Sequence, residues 1–172
     1  MTEITRRDWL LATTCWADVL RAQIPAQRFV YFDSATATEI EAITETIIPA
    51  DATSGAREAG VIRFIDRALG GYDEDKRATY QKGLADMQLK RVDLFPGSTT
   101  IVGLTPVQRI TLLKTVEQTE FFRLVRRHTI LGFFGHPKHG GNRDFAGDKL
   151  LGIEPAMHFE PPFGYYDREA SK

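Results

Sequence analysis

Turn-forming residues divide most of this chain into segments whose apolar residues recur at helical spacing. Five such segments begin near residues 36, 57, 73, 105 and 119, and the last of them ends at Phe134. Apolar side chains three and four positions apart lie on one face of an α-helix. No such period continues after Gly135. The pattern predicts an all-α protein, a small bundle of about five helices, with a long irregular C-terminal arm.

Two of the predicted helices carry a capping box at their start. Thr105 precedes Pro106, and Gln108 follows at the third helical position. In this arrangement the threonine side chain accepts from the backbone of the third residue, whose own side chain reaches back to the cap. Thr36 and Glu39 have the same spacing, so we expect them to begin the first helix in the same way.

Proline, glycine and aspartate mark further helix boundaries. Pro49 ends the first helix because proline cannot continue it. Gly70 and Gly71 are expected to give the second helix a left-handed exit, and Asp73 is expected to cap the third helix. These signals place the helices in one domain, which we assign to residues 29–153, with the irregular arm at residues 154–172.

Composition limits the classes of function. The 172 residues suffice for one domain with a hydrophobic core, and 42% of them are hydrophobic. The 22 basic and 23 acidic residues give a net charge of −1, which argues against nucleic-acid binding. No apolar run is long enough for a transmembrane helix. Cys15 is the only cysteine, which excludes an internal disulfide and a thiolate-rich metal site.

The N-terminal segment, residues 1–28, resembles an export signal. Arg6 and Arg7 are followed by a spacer and a bulky apolar pair, as in twin-arginine signals, which direct folded proteins to the periplasm. The segment also fits an amphipathic first helix, because Trp9 and Trp16 lie on one face at helical spacing. We favour the export signal, and the helix remains the alternative.

The histidines suggest a metal site, but their spacing does not support one. All four lie between residues 128 and 158. His136 and His139 with Asp144 could in principle bind zinc or iron, but no helix offers two ligands on one face, and Lys138 lies between the histidines. His128 falls on the apolar side of its helix and is expected in the core. No serine elbow or cysteine–histidine pair indicates a nucleophile, so we expect neither catalytic residues nor a metal in this chain.

The segment Gly132–Asn142 (GFFGHPKHGGN) is the most distinctive part of the sequence. Half of the aromatic residues lie between Phe121 and Tyr166, and an arginine cluster that includes Arg126 precedes the segment. Aromatic side chains and arginine dominate protein interfaces, so we predict a docking element for a protein partner. The residues assigned to it are Phe133, Phe134, His136, His139, Gly140, Gly141, Asn142 and Arg126. In this prediction the phenylalanines anchor the loop, the glycines permit close backbone approach, and Asn142 takes a left-handed conformation.

Several motifs together resemble the gluconate 2-dehydrogenase subunit 3 family. The resemblance covers roughly residues 32–153. It rests on the helix end Ile47-Ile48-Pro49-Ala50-Asp51, on Phe121-Phe122, Arg126, Thr129 and Gly132-Phe133-Phe134-Gly135 with Pro137, and on Gly140-Gly141-Asn142-Arg143-Asp144 with Gly147 and Gly152-Ile153. The sequence departs from the usual family pattern at His136, His139 and Asp148, where the family has an acidic residue, an aromatic residue and tryptophan.

The resemblance implies a non-catalytic small subunit of a periplasmic, flavin-dependent sugar or polyol dehydrogenase. The catalytic large subunit would be a flavoprotein of the glucose–methanol–choline (GMC) type that holds the FAD, so that this chain itself needs no cofactor. Electrons would pass onward to a cytochrome c or another acceptor. A twin-arginine signal on this chain could carry a folded partner that lacks one. Two alternatives remain: a small metalloenzyme that uses His136, His139 and Asp144, and a free-standing periplasmic assembly or binding factor.

Overall fold

The computed structural model describes residues 28–153, and this region is all-helical, as predicted, with no strand in it. It contains six α-helices rather than about five, because a short one follows the glycine-rich loop. Their bounds are α1 Ser34–Ile47, α2 Val61–Gly70, α3 Arg77–Leu94, α4 Pro106–Lys114, α5 Glu120–Phe134 and α6 Ala146–Leu150. The proposed export signal with Arg6 and Arg7 and the proposed arm at residues 154–172 lie outside the described residues.

Helices α4 and α5 begin with side-chain caps formed by residues close together in the sequence. The capping box before α4 is present, with Thr105 accepting from the Gln108 backbone and the Gln108 side chain accepting from the Thr105 backbone at 2.9 Å. Thr119 caps α5 by accepting from the backbone N–H of Phe122. In both cases the partners are three residues apart, so the local sequence is sufficient to form the cap.

The predicted capping box of α1 is wrong. Asp33 caps the helix instead, its carboxylate accepting from the backbone of Thr36 at 2.8 Å. Glu39 accepts from the backbone N–H of Ile101, which lies in the loop before α4, at 2.9 Å. Aspartate is at least as good a cap as threonine, and the glutamate gains a partly buried partner from a distant loop.

Helix α2 ends at Gly70, as the glycine pair predicted, but the left-handed exit and the cap by Asp73 are wrong. Gly71 has a φ of −138°, which lies outside the left-handed region. The turn is closed instead by the backbone N–H of Asp73, which donates to Ala68 O at 2.9 Å. The Asp73 side chain makes no capping bond. A short 3-10 turn at Glu74–Lys76 precedes α3, and the Asp73 carboxylate points to His128 on α5.

Helix α5 lies at the centre of the packing. It contacts α1, α2, α3 and α6, while α4 packs against α1 and α3. The approach of α5 to α3 is close because Gly83 has no side chain where the ring of Phe121 lies. The Phe121 ring meets Tyr80 edge-on, with ring centroids 5.7 Å apart. Aromatic rings from α5 and α3 therefore fill the centre of the core.

One buried carboxylate holds the entry of the chain into the domain. Asp66 on α2 accepts backbone hydrogen bonds from Val30, Tyr31 and Phe32 at 2.7, 2.9 and 2.9 Å. Three donors satisfy a charge that would otherwise be costly to bury. The short apolar run before α1 is thereby fixed to α2. Within residues 28–153, no helix has the length and apolar character required to cross a membrane.

Candidate docking site

The predicted docking segment forms a compact loop that closes back on the end of α5. Gly135 terminates the helix and donates to Leu131 O at 2.8 Å. A 3-10 turn at Pro137–His139 and another at Arg143–Phe145 lead into α6, which packs against α5. The loop therefore contains two hydrogen-bonded turns and lies between the end of α5 and the start of α6.

Asn142 organises this loop. It is buried, and its φ of 46° lies in the left-handed region, as expected for this residue. Its side-chain N–H groups donate to Gly135 O at 2.9 Å and to the Asp148 carboxylate at 2.7 Å. Its side-chain oxygen accepts from Gly147 N at 2.8 Å. One amide thus joins the end of α5 to the start of α6, a role that a residue without a polar amide could not fill.

Two glycines allow the loop backbone to lie directly on α5. A side-chain carbon on Gly141 would collide with the carbonyl group of Gly132, which is itself part of the helix. A side-chain carbon on Gly147 would collide in the same way with the carbonyl of Phe133. Gly140 has a φ of 106°, which side chains rarely tolerate. The glycines therefore serve the internal packing of the loop.

The two adjacent phenylalanines have different environments. Phe133 is fully buried, whereas 38% of Phe134 is exposed. Their rings meet edge-on with centroids 4.9 Å apart, and the Phe134 ring also lies against Gly147. Phe133, Gly141 and Asn142 shape the loop from inside, so only Phe134 among these four can present a large surface to another protein.

His136 and His139 lie on the exposed side of the loop. His136 Nδ1 accepts from the backbone of Lys138 at 3.2 Å and so caps the first 3-10 turn. No group of three or more histidine, cysteine, aspartate or glutamate side chains in residues 28–153 is arranged to hold a metal ion. The structure thus does not bring His136, His139 and Asp144 together as a ligand set.

Arg126 is not part of the loop. It lies two turns before Phe134 on α5, where it is exposed and lines a shallow groove with Ile47 of α1 and Ile110 of α4. With Arg123 and Arg127 it forms no ion pair to another described residue. The arginines therefore leave a positive charge on the outward side of α5.

The outward side of α5 becomes apolar toward its C-terminal end, a feature that the sequence analysis missed. The helical spacing of Leu131 to Leu124 and His128 predicts that it faces the core, but 39% of it is exposed, beside the similarly exposed Ile130. Their spacing to Phe134 puts all three on one outward ridge. We call this ridge, together with the exposed apolar residues of the adjoining α6 region, the outer apolar face: Ile130, Leu131, Phe134, Phe145, Leu150, Leu151 and Ile153.

His128 lies in the core, as its position on the apolar side of α5 predicted. Its Nδ1 is 2.9 Å from the Tyr80 hydroxyl, and its Nε2 is 3.1 Å from the Asp73 carboxylate. Burial lowers the pKa of the imidazole, and the nearby Asp73 carboxylate partly offsets this effect. A neutral histidine bonded on both sides explains why this polar residue is tolerated in the core.

Comparison with protein families identifies the group to which these features belong. The model described as Gluconate 2-dehydrogenase subunit 3 matches residues 35–152, well over half of the chain. The chain belongs to this family. The matched region begins at the second residue of α1 and includes α6, so it covers the whole helical array and the loop. It identifies an accessory subunit that associates with a dehydrogenase complex.

The other two comparisons gave no matches: neither a curated protein nor a solved structure is significantly similar to the chain.

Proposed function

We propose that this chain is the non-catalytic small subunit of a periplasmic, FAD-dependent sugar or polyol dehydrogenase. In this role it supports the export, assembly and stability of the catalytic flavoprotein, a GMC-type large subunit that holds the FAD. Electrons leave the flavoprotein for a cytochrome c or another acceptor. Family membership supports the assignment to a dehydrogenase complex. The substrate class, the flavoprotein partner and the periplasmic location are the proposed extensions.

The observation that carries the docking role is the outer apolar face on α5 and α6. An accessory subunit needs a surface that excludes water when the partner binds, and clustered exposed aromatic and aliphatic side chains are suited to this purpose. Phe134, Leu131 and Ile130 project from a helix against which the Asn142 bonds and the glycine contacts hold the loop and α6. A rigid surface loses little conformational entropy on binding.

The predicted docking residues then divide into two groups. Phe134, His136, His139 and Arg126 are exposed and make direct contacts with the partner in this proposal. Phe133, Gly140, Gly141 and Asn142 act indirectly, by giving the loop its shape. The exposed arginines add a positive edge, which fits a partner surface that carries carboxylates beside an apolar region.

Co-purification tests the docking role. The tagged full-length chain is purified from its native host, and the absorption spectrum of the eluate is recorded. We expect flavin bands together with a larger chain, and the substitution Phe134→Ser should remove both. Val107→Ser is the matched control, since Val107 is exposed on α4, away from the outer apolar face. A colourless eluate with this chain alone would contradict the flavoprotein assignment and favour a free-standing factor.

Cell fractionation tests the export role separately. The double substitution Arg6→Lys, Arg7→Lys alters the paired arginines while preserving charge. We expect both this chain and the flavoprotein to shift from the periplasmic to the cytoplasmic fraction. If the variant reaches the periplasm as efficiently as the native chain, the twin-arginine assignment is wrong, although the docking role would be unaffected.

A further inference from the structure

The most unusual polar cluster in the described core connects three separate elements through His128. Asp73 comes from the turn that follows α2, Tyr80 from α3 and His128 from α5. Tyr80 and His128 are each 2% exposed, and their rings stack with centroids 5.8 Å apart. None of the three side chains is among the residues assigned to docking, and Tyr80 and His128 are buried in the core. Its role therefore has to be found in the fold itself.

The two hydrogen-bond partners of the imidazole favour one protonation state. A carboxylate can only accept, so the bond to Asp73 requires a hydrogen on His128 Nε2. The Tyr80 hydroxyl keeps its proton, since burial raises its pKa well above the usual range, and it can donate to Nδ1. Neutral His128 with its hydrogen on Nε2 therefore satisfies all three side chains at once.

Protonation of His128 would disturb this arrangement. A hydrogen on Nδ1 would face the Tyr80 hydroxyl, which would then have to turn its own hydrogen away. Among the described residues the hydroxyl has no second hydrogen-bond partner, so a buried O–H would be left without an acceptor. Such a loss adds to the cost of burying the new positive charge.

We infer that Asp73, Tyr80 and His128 form a pH-sensitive lock that holds the α2–α3 turn, α3 and α5 together while the imidazole is neutral and weakens when it is protonated. The inference concerns the fold of this chain and does not depend on the proposed function.

The charged groups around His128 oppose one another. Asp73 favours the protonated imidazole, whereas Arg127 on α5 opposes it. Tyr72 lies beside Asp73 at the surface, and the Phe64 ring of α2 meets the imidazole edge-on, with centroids 6.2 Å apart. Burial is the largest influence on the pKa of His128 and lowers it. Below about pH 6.5 the unfolded chain then binds a proton that the folded chain does not, so stability falls as the pH falls.

Nitrogen NMR of the full-length chain tests the lock directly. Imidazole nitrogen shifts in a 15N-labelled sample report which nitrogen carries the hydrogen and at what pH the second one binds. We expect hydrogen on Nε2 alone at pH 7.5, and protonation below the ordinary histidine range. Hydrogen on Nδ1 alone, or a doubly protonated ring at pH 7.5, would overturn the inference.

Unfolding at several pH values tests its consequence. The unfolding equilibrium of the native chain should shift toward the unfolded state by up to about tenfold per pH unit below pH 6.5, as one bound proton requires. His128→Gln should flatten this dependence, while His139→Gln, a change at an exposed histidine, should preserve it. An unchanged slope in His128→Gln would refute the lock. If that variant does not fold, Asp73→Asn serves instead. Loss of the carboxylate lowers the pKa of His128 in the folded chain further, so the fall in stability should continue to lower pH than in the native chain; a fall that ends at the same or a higher pH would refute the lock equally.

Discussion

Both the inward and the outward face of α5 carry large apolar side chains, but only those of the inward face are buried. Along the inward face, Val125, His128 and Phe133 are buried. Along the outward face, arginines occupy the first half of the helix, and Ile130, Leu131 and Phe134 occupy the second half. The end of α5 is therefore apolar on both sides. Such a helix is expected where one side stabilises the domain and the other meets a partner.

Hydrophobicity alone does not distinguish the residues that stabilise the domain from those that bind a partner. Phe133 and Phe134 are the same residue type at adjacent positions, yet one is enclosed and the other is partly open to solvent. A substitution on the inward face should reduce the free energy of unfolding. A substitution on the outward face should reduce it much less and should mainly weaken association with the dehydrogenase complex.

The phenylalanine pair should give the largest contrast. Phe133→Ala removes a fully buried ring, and we expect a loss of about 4 kcal/mol in the free energy of unfolding, measured with urea. Phe134→Ala should cost about 1 kcal/mol, since part of the ring is already hydrated. In co-purification, Phe134→Ala should reduce the amount of recovered partner more than Phe133→Ala does among folded molecules, because only Phe134 belongs to the outer apolar face. Equal losses of stability in both variants would contradict the division between the two faces.

Gly141→Ala should come next, with a loss of about 3 kcal/mol in the free energy of unfolding. The added methyl group would collide with the Gly132 carbonyl, and backbone on both sides leaves little room to adjust. Gly97→Ala is the matched control, because a side-chain carbon there meets no atom within 4 Å. Urea denaturation of the two variants in parallel separates the cost of this collision from the general effect of replacing glycine with alanine. Comparable stability of the two would show that the loop does not lie tightly on α5.

Asn142→Ala should lose about 2 kcal/mol, through the missing amide bonds and the unfavourable left-handed backbone. Asn142→Gly keeps the backbone freedom and loses only the amide. Because the unfolded chain is also freer with glycine, thermal unfolding alone would mix two effects. Hydrogen exchange at the Gly147 N–H provides a direct measurement: it should accelerate in both variants. Unchanged exchange would mean that the amide does not join α5 to α6.

Arg126→Gln should have the smallest effect on stability, within about 0.5 kcal/mol, because the side chain is exposed and unpaired among the described residues. Its effect should be on association. We expect weaker co-purification at low salt and a smaller dependence of binding on ionic strength, as for a charge at the edge of an interface. Thr38→Ala, at an exposed position of α1, is the control, and an effect equal to that of Arg126→Gln would argue against the positive edge.

Sequence patterns predicted those features of the site that depend on neighbouring residues. The left-handed conformation of Asn142 and the close approach of Gly141 follow from side-chain size and polarity at the position itself. The exposure of Leu131 could not be predicted in the same way, because its helical spacing is compatible with the edge of the inward face. Which edge is covered depends on where α1, α2, α3 and α6 pack.

Two acidic residues show that the local sequence does not fix the hydrogen-bond partner of a side chain. Glu39 and Asp73 both occur at positions suitable for helix caps, yet Glu39 accepts from Ile101 and Asp73 contacts His128. A local cap and a distant partner compete for one carboxylate, and the partner prevails where it relieves a buried or partly buried polar group. Asp66, which fixes the chain before α1, carries no local signal at all.

The sequence alone predicts the all-helical class, the capped start of α4, the left-handed conformation of Asn142 and the family. Each of these depends on interactions within a few residues or on a pattern that repeats along the chain. The three-dimensional structure was needed to show that Phe133 is enclosed while Phe134 is not, and that Asp73, Tyr80 and His128 meet. The reason is physical: burial and hydrogen-bond partners arise from segments far apart in the chain, whose positions are set by the packing of the whole domain.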